Sequence, residues 1–261
     1  MIIAKKSLGQ NFLIDQKILS NISKLTYIKD EEILEIGPGT GNLTNFILKE
    51  KPKKFYTIEK DNYLSSFLKK KFNEEISIIN DDVLNVDETK ISKDKLIVFG
   101  NLPYNISTEI LIKWIYNFKN DFWFKKLVLM FQKEVADRII AKVNTSNYGR
   151  LSIISNWKLE IEKVFDIKPT SFHPKPKIDS TLLIFSPKKN FFKLKNIHDL
   201  EIITKVFFNQ RRKMIKKPFN QIFKKPTEIL NKFNIDTNLR PQNLEPEIYY
   251  KLANEYSKLR S

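Results

Sequence analysis

The sequence predicts an α/β protein: a mainly parallel, seven-stranded sheet with helices on both faces, followed by a small all-helical C-terminal domain. Three observations carry this. From about residue 30 to 131, short β-rich apolar runs alternate with stretches of helical periodicity, the pattern of a parallel sheet built from strand–helix units. A glycine-rich turn follows the first run and opens a helical stretch. After Ser186-Pro187 the strand signals fade and helical patterns punctuated by proline take over.

The strand candidates are read in order. Ile33–Ile36 is an apolar run ending at Gly-Pro-Gly, and Phe55–Ile58, Ile76–Ile79, Leu96–Phe99 and Leu127–Phe131 follow. Between them lie helical spacings such as Leu64, Phe67, Leu68 and Phe72, which fall on one face at 3.6 residues per turn. Glu160–Phe165 and Ser180–Phe185 flank a proline-rich turn and are expected to close the sheet edge as an antiparallel hairpin. Beyond residue 190, Pro218, Pro226, Pro241 and Pro246 separate four short helical patterns. The expected division is 1–187 and 188–261.

Composition narrows the function. No run of 18 apolar residues exists, so no span is expected, and the first twelve residues lack a signal-peptide core. Cysteine is absent, which excludes disulfides, thiolate metal sites and a cysteine nucleophile; a cytoplasmic protein is expected. The net charge is +16, from 46 basic and 30 acidic residues. Such an excess suits a polyanion, because a lysine near phosphate displaces a condensed counterion. Forty of the 46 bases are lysine, and a generally solvated basic surface is the alternative reading.

Glu35-Ile36-Gly37-Pro38-Gly39-Thr40-Gly41 follows the first strand. Glycines there let the backbone turn tightly and approach a ligand without a Cβ clash. Taken alone, the segment also reads as an ordinary strand-to-helix turn. Glu59 ends the next strand, 18 residues after Gly41, where a carboxylate can accept from a ribose diol. Asp82 follows the third strand, where it can accept from an adenine amine. Acids at successive strand ends describe an adenosine site, of either a dinucleotide or S-adenosylmethionine. The pyrophosphate fingerprint is G-x-G-x-x-G; the G-P-G-T-G here looks like the glycine motif of class I methyltransferases.

Asn101-Leu102-Pro103-Tyr104 follows the fourth strand. An exocyclic adenine amine is a poor nucleophile because its lone pair is delocalised into the ring. The Asn101 carboxamide oxygen and the Leu102 carbonyl can each accept one of its N–H groups, stabilising charge that develops on nitrogen. Pro103 presets φ, and Tyr104 can stack on a base taken out of its helix. Phe172, heading Phe172-His173-Pro174-Lys175-Pro176-Lys177-Ile178-Asp179-Ser180, either covers the base's other face or anchors a hairpin loop. Arg211 and Arg212, in a chain that almost always uses lysine, either grip phosphate with a guanidinium fork or make intramolecular pairs.

With these motifs in hand, the chain resembles the bacterial small-subunit (16S) ribosomal RNA adenine N6,N6-dimethyltransferase family, whose loss gives kasugamycin resistance. G-Q-N-F-L at 9–13, E-I-G-P-G-T-G at 35–41, F-G-N-L-P-Y-N-I-S-T at 99–108 and Q-K-E-V-A-D-R at 132–138 carry the resemblance. So do Y-G-R-L-S at 148–152, F-x-P-x-P-K-I-D-S at 172–180 and F-N-Q-R-R-K at 208–213. It implies a class I, Rossmann-like S-adenosyl-L-methionine-dependent methyltransferase domain over 1–187 and a helical RNA-contacting domain over 188–261. It implies that Asn11, Leu13, Gly37, Glu59, Asp82 and Asn101 contact the cofactor. Asn101, Leu102, Tyr104 and Phe172 would form the reaction centre, with Arg211 and Arg212 on RNA and no metal. It also implies a monomer acting on small-subunit ribosomal RNA within a ribosomal particle, away from membranes, at two adjacent adenosines of the terminal hairpin. One departure is Pro218, soon after Arg211-Arg212-Lys213, which is expected to shorten a basic helix that the family usually continues there.

The rivals are a large-subunit RNA adenine methyltransferase of the antibiotic-resistance type, a DNA adenine methyltransferase, and a non-catalytic assembly or transcription factor on the same fold. Y-G-R-L-S and F-N-Q-R-R-K favour the small-subunit reading. The lack of an Asp-Pro-Pro-Tyr-like centre disfavours DNA, and an intact Asn101-Leu102-Pro103-Tyr104 disfavours loss of chemistry.

Overall fold

A computed structural model describes residues 4–5, 8–117 and 121–260. The chain divides into two compact units. The first comprises Met1–Ala136 and Glu160–Pro187; the second comprises Asp137–Leu159 and Lys188–Ser261.

The first unit is built on a seven-stranded sheet of β2 (Glu32–Ile36), β3 (Lys54–Ile58), β4 (Ser77–Ile79), β5 (Leu96–Asn101), β6 (Phe124–Gln132), β7 (Leu159–Ile167) and β9 (Ser180–Pro187), in the order β4-β3-β2-β5-β6-β9-β7. The first five strands run parallel, and β9 joins β6 antiparallel. Parallel strands covered on both faces read as continuous apolar runs, which is why they were visible in the sequence. Along β5, Ile97 and Phe99 join a cluster with Leu19, Ile22, Leu43 and Ile47. Their alternate neighbours Leu96 and Val98 are just as buried, as the two-residue strand period requires when both faces are covered.

Helices α1 (Gln16–Ser23), α2 (Asn42–Lys49), α3 (Asn62–Phe72) and α4 (Ser107–Tyr116) connect or flank the strands. Asp15 caps α1 by accepting from Lys17 and Ile18 N–H, and Asp61 caps α3 by accepting from Tyr63 N–H. From β2 the chain moves outward through β3 to β4, then returns to place β5 on the other side of β2. That reversal opens a crevice at the carboxyl ends of β2 and β5, the position where such sheets bind ligands.

The strands 160–165 and 180–185, expected to pair at the sheet edge, do so: β9 lies beside β7, and β7 is the edge strand. One pairing was not expected. A separate two-stranded sheet pairs β1 (Phe12–Leu13) antiparallel with β8 (Phe172–His173); two residues carry no periodicity to read.

The second unit holds α6 (Arg150–Lys158), α7 (Ile197–Asn209), α8 (Lys216–Ile222), α9 (Pro226–Lys232) and α10 (Pro246–Arg260), while α5 (Lys133–Ile139) runs across the boundary. The expected cut at 187/188 therefore misses 137–159. That segment is tied to the C-terminal helices by Asn144 N–H to Gln242 O (2.9 Å), Tyr148 Oη to Leu244 O (3.0 Å) and Tyr250 Oη to Ile153 O (2.9 Å). Phe207 meets Phe219 and Tyr249 edge-on at ring separations of 5.2 and 5.6 Å, the core of this unit. Pro218 interrupts nothing: α7 already ends at Asn209, and Pro218 sits in the first turn of α8, where its missing N–H costs no helical bond.

Candidate active site

The crevice is a cleft of about 1310 Å³ including its open mouth. Its floor is the turn after β2. Gly37, Gly39 and Gly41 all have positive φ, at 64°, 58° and 72°, a region that side chains disfavour. Gly39 also meets the arm of residues 8–13 that lines the cleft: a Cβ there would lie 2.7 Å from the Phe12 ring. The turn is closed by Gly41 N–H to Pro38 O (2.8 Å) and tied to β3 by Gly37 N–H to Ile58 O (2.9 Å).

Two acids stand at successive strand ends. Glu59 is buried after β3; its Oε2 accepts from Gly39 N–H (3.2 Å) and its Oε1 from Asp61 N–H (2.9 Å). Burial pushes its carboxyl above the ordinary range against those two bonds. Each oxygen keeps a second lone pair, so the brace leaves capacity for a diol. Asp82 follows β4, with Oδ1 accepting from Leu84 N–H (3.0 Å) and Oδ2 from Lys60 Nζ (2.7 Å). Burial alone would raise it, but the Lys60 ammonium and the Leu84 N–H hold it below the usual carboxylate range.

A third acid went unnoticed although it lies inside the glycine motif. Glu35 is buried, accepts from Thr44 Oγ1 at 2.6 Å, and burial pushes it up to about 7, with Glu59 adding to the rise and Lys71 opposing it. A folded-state pKa raised from 4.5 to about 7 means the folded chain holds the extra proton. Its stability therefore falls as pH rises through that window. Glu35→Gln keeps an acceptor for Thr44 and removes the titration. It is expected to melt above the wild type at pH 8, by roughly 3 kcal/mol of stability, and to lose that advantage near pH 4.5. Equal melting temperatures at pH 8 would contradict this.

The residues expected at the reaction centre lie where β5 ends. Asn101 Nδ2 donates to Asn11 O at 2.7 Å, which turns the carboxamide so that Oδ1 is the acceptor left over. Among the described residues no donor reaches Asn101 Oδ1 or the Leu102 carbonyl. A Cβ at Gly100 would lie 2.9 Å from Leu102 Cδ2, so a larger residue there would have to displace that side chain. Tyr104 Oη shares a 2.5 Å hydrogen bond with Ser180 Oγ, the last residue of the proline-rich loop motif. Burial raises the phenol's pKa.

Asn11, Leu13, Gly37, Glu59, Asp82, Asn101, Leu102 and Tyr104 thus line one cleft. Phe172 does not. It is 3% exposed and packs in the core with Leu13, Ile167, Leu182 and Ile184, fixed by its pairing with Leu13 between β8 and β1. In this conformation it is the anchor of the loop rather than an open ring. Arg211 is turned inward: its guanidinium donates to Thr145 O (3.3 Å), to Ser146 O and to Gln242 Oε1 (3.2 Å). Arg212 is exposed. Asp61 was also missed, because a residue that caps a helix gives no sequence sign of distant partners.

The glycine floor, the paired acids and the free acceptors fit an adenosyl ligand beside an amine. The family model for ribosomal RNA adenine dimethylase matches residues 2–258. The chain belongs to the ribosomal RNA adenine dimethylase family. It is 65% identical over 257 residues to the ribosomal RNA small subunit methyltransferase A of Pelagibacter ubique, covering 98% of each chain. It is 42% identical to the protein of that name from Ehrlichia ruminantium, covering 97% of each. Among solved structures, a dimethyladenosine transferase from Plasmodium falciparum superposes with a TM-score of 0.81 at 29% identity, over 95% of this chain and 98% of that one. The 23S rRNA methyltransferase ErmE superposes with a TM-score of 0.68 at 21% identity, over 94% and 99%, a likeness of fold. The fold is that of class I S-adenosylmethionine-dependent methyltransferases, and this member is an enzyme of the adenine dimethylase family. Among the described residues, no helix is long and apolar enough to cross a membrane.

Proposed function

We propose that this enzyme dimethylates the N6 amines of two adjacent adenosines in the terminal hairpin of small-subunit ribosomal RNA. It would act on a ribosomal particle, as a cytoplasmic monomer, during ribosome biogenesis. The observation that carries the chemistry is the pair of acceptors that no donor reaches among the described residues, Asn101 Oδ1 and Leu102 O, at the edge of the cleft. They match the two N–H groups of an exocyclic amine. The 65% identity to a small-subunit methyltransferase, against 21% to ErmE, favours the small-subunit target.

In this reading Glu59 accepts from the ribose hydroxyls and Asp82 from the adenine amine of S-adenosyl-L-methionine, with Asn11, Leu13 and Gly37 enclosing it. The bound cofactor supplies a methyl group on a sulfonium, which leaves as a neutral thioether. Asn101 and Leu102 hold the target nitrogen while it becomes tetrahedral and positive. Neither group needs to take the proton, which leaves the methylated ammonium to water. Tyr104 stacks on the displaced base. Arg212 is the better candidate for phosphate contact, since Arg211 is held by carbonyls of its own chain.

The test supplies labelled S-adenosylmethionine with unmodified small subunits and large subunits, then maps methylated bases. Two adjacent dimethyladenosines in small-subunit RNA are expected. Label confined to large-subunit RNA would support the rival enzyme, and binding of particles without any transfer would support a non-catalytic factor.

A further inference from the structure

The arm is fastened unevenly. Leu8 to Leu13 all line the cleft. The downstream half is held many times over. Asn101 Nδ2 reaches Asn11 O at 2.7 Å and Asn42 Nδ2 reaches Leu13 O at 2.8 Å. Phe12 and Leu13 pair with β8, and the Phe12 ring lies against Gly39. Among the described residues, the side chains of the upstream half reach the rest of the fold at one place, and Asn11 Nδ2 to Gly9 O at 3.2 Å stays within the arm. Gln10 Nε2 donates to Asp61 Oδ2 at 3.2 Å, and Lys5 Nζ lies 2.9 Å from both Asp61 oxygens. Lys5 N–H donates in turn to Gln10 Oε1 at 2.7 Å.

Asp61 is suited to this. Its side chain is 2% exposed while that of Lys5 is 52% exposed, so a fixed buried acid meets a solvated, reversible partner. Burial would raise its carboxyl, but the bonds from Lys5, Gln10 and Tyr63 hold it below the usual range, so it stays ionised. It is also two residues from Glu59, and its own N–H braces Glu59 Oε1 at 2.9 Å. One residue therefore joins the arm, the start of α3 and the acid at the end of β3.

We propose that Asp61 is a positioning residue that fastens residues 8–10 over the cofactor cleft, and that release of this fastening sets the rate of cofactor exchange. The proposal rests on the cleft being the S-adenosylmethionine site. Breaking the contacts to Asp61 frees the upstream half alone, because Asn11 to Leu13 keep their own bonds. A dimethylase must exchange cofactor after every transfer, so a fastening that opens without unfolding the arm serves repeated turnover.

The test uses Asp61→Asn, Lys5→Met and the double variant of the full chain. Asparagine is as good a helix cap as aspartate, so α3 is kept while the ion pair is lost. Dissociation of S-adenosylmethionine, followed by stopped flow, should speed up about tenfold in each single variant, with little further change in the double variant, since both remove one interaction. Raising salt should speed release in the wild type and leave Asp61→Asn nearly unaffected, because a half-exposed pair is screened. Without cofactor, hydrogen exchange at the Leu8 and Gln10 amides should rise in Asp61→Asn. Wild-type protein that binds S-adenosylmethionine, together with unchanged release and exchange in both single variants, overturns the fastening alone. So do fully additive effects in the double variant. A wild type that binds no S-adenosylmethionine overturns the cleft reading and the proposal with it.

Discussion

Asn101→Ala is expected to lower the single-turnover rate of methyl transfer about a hundred- to a thousandfold, the usual cost of removing one preorganised group that stabilises transition-state charge. The geometry explains why the loss should fall on the rate. Asn101 Nδ2 is committed to Asn11 O at 2.7 Å, so the carboxamide cannot rotate without breaking a bond, and Oδ1 is aimed before substrate arrives. Charge on the target nitrogen appears only as the methyl moves, so the acceptor matters more in the transition state than in the ground state. The same bond to Asn11 makes a secondary prediction. Alanine also removes a tie on the arm, so cofactor affinity should fall, but by no more than about tenfold, the worth of one neutral hydrogen bond. RNA affinity should be unchanged. The decisive measurement is the rate at saturating cofactor and RNA; a loss below about tenfold would remove Asn101 from the reaction centre.

Most of the sheet was legible in the sequence, for a physical reason. Glu32–Ile36, Lys54–Ile58 and Leu96–Asn101 pair side by side in the sheet's centre, and their largely apolar runs announce it. The cleft residues Gly37, Glu59, Asp82 and Asn101 were legible because ligands bind at strand ends, and strand ends are what apolar runs locate. What stayed hidden was long-range and aperiodic. The two-residue ladder between Phe12–Leu13 and Phe172–His173 gives no pattern, yet it decides that Phe172 faces the core. Arg211 looked like a phosphate ligand by type; only the fold brings Thr145, Ser146 and Gln242 to its guanidinium. Residues 137–159 precede two strands of the first unit, so chain order placed them there, whereas Tyr148 and Ile153 bond to the C-terminal segment. Asp61 reads as a cap, and its partners Lys5 and Gln10 lie more than fifty positions upstream.

Tyr104→Ala is expected to lower total methylation roughly ten- to a hundredfold and to shift the product toward monomethyladenosine. Base stacking on an aromatic ring is worth about 1–3 kcal/mol by alanine substitution, and each 1.4 kcal/mol is a decade. The ring is held in place, since Tyr104 Oη is bonded to Ser180 Oγ at 2.5 Å and Ser180 belongs to β9 of the sheet. Phe172, in β8, is buried against the core, so in this conformation Tyr104, not Phe172, is the aromatic of the proposed reaction centre that lines the cleft. The second methylation depends on it more than the first. After one transfer the nitrogen keeps a single hydrogen, so either Asn101 Oδ1 or Leu102 O loses its partner. The amine must then rotate before the second attack, with fewer hydrogen bonds to hold it, and stacking is what keeps the base from leaving. Tyr104→Phe keeps the ring and loses only the bond to Ser180, so it should lose less total product and shift the ratio less. Mass spectrometry of digested RNA, taken at matched extents of reaction, separates the cases. A Tyr104→Ala enzyme that makes less product at the wild-type ratio of mono- to dimethyladenosine would show that stacking serves the first capture alone, and that another group retains the base between transfers.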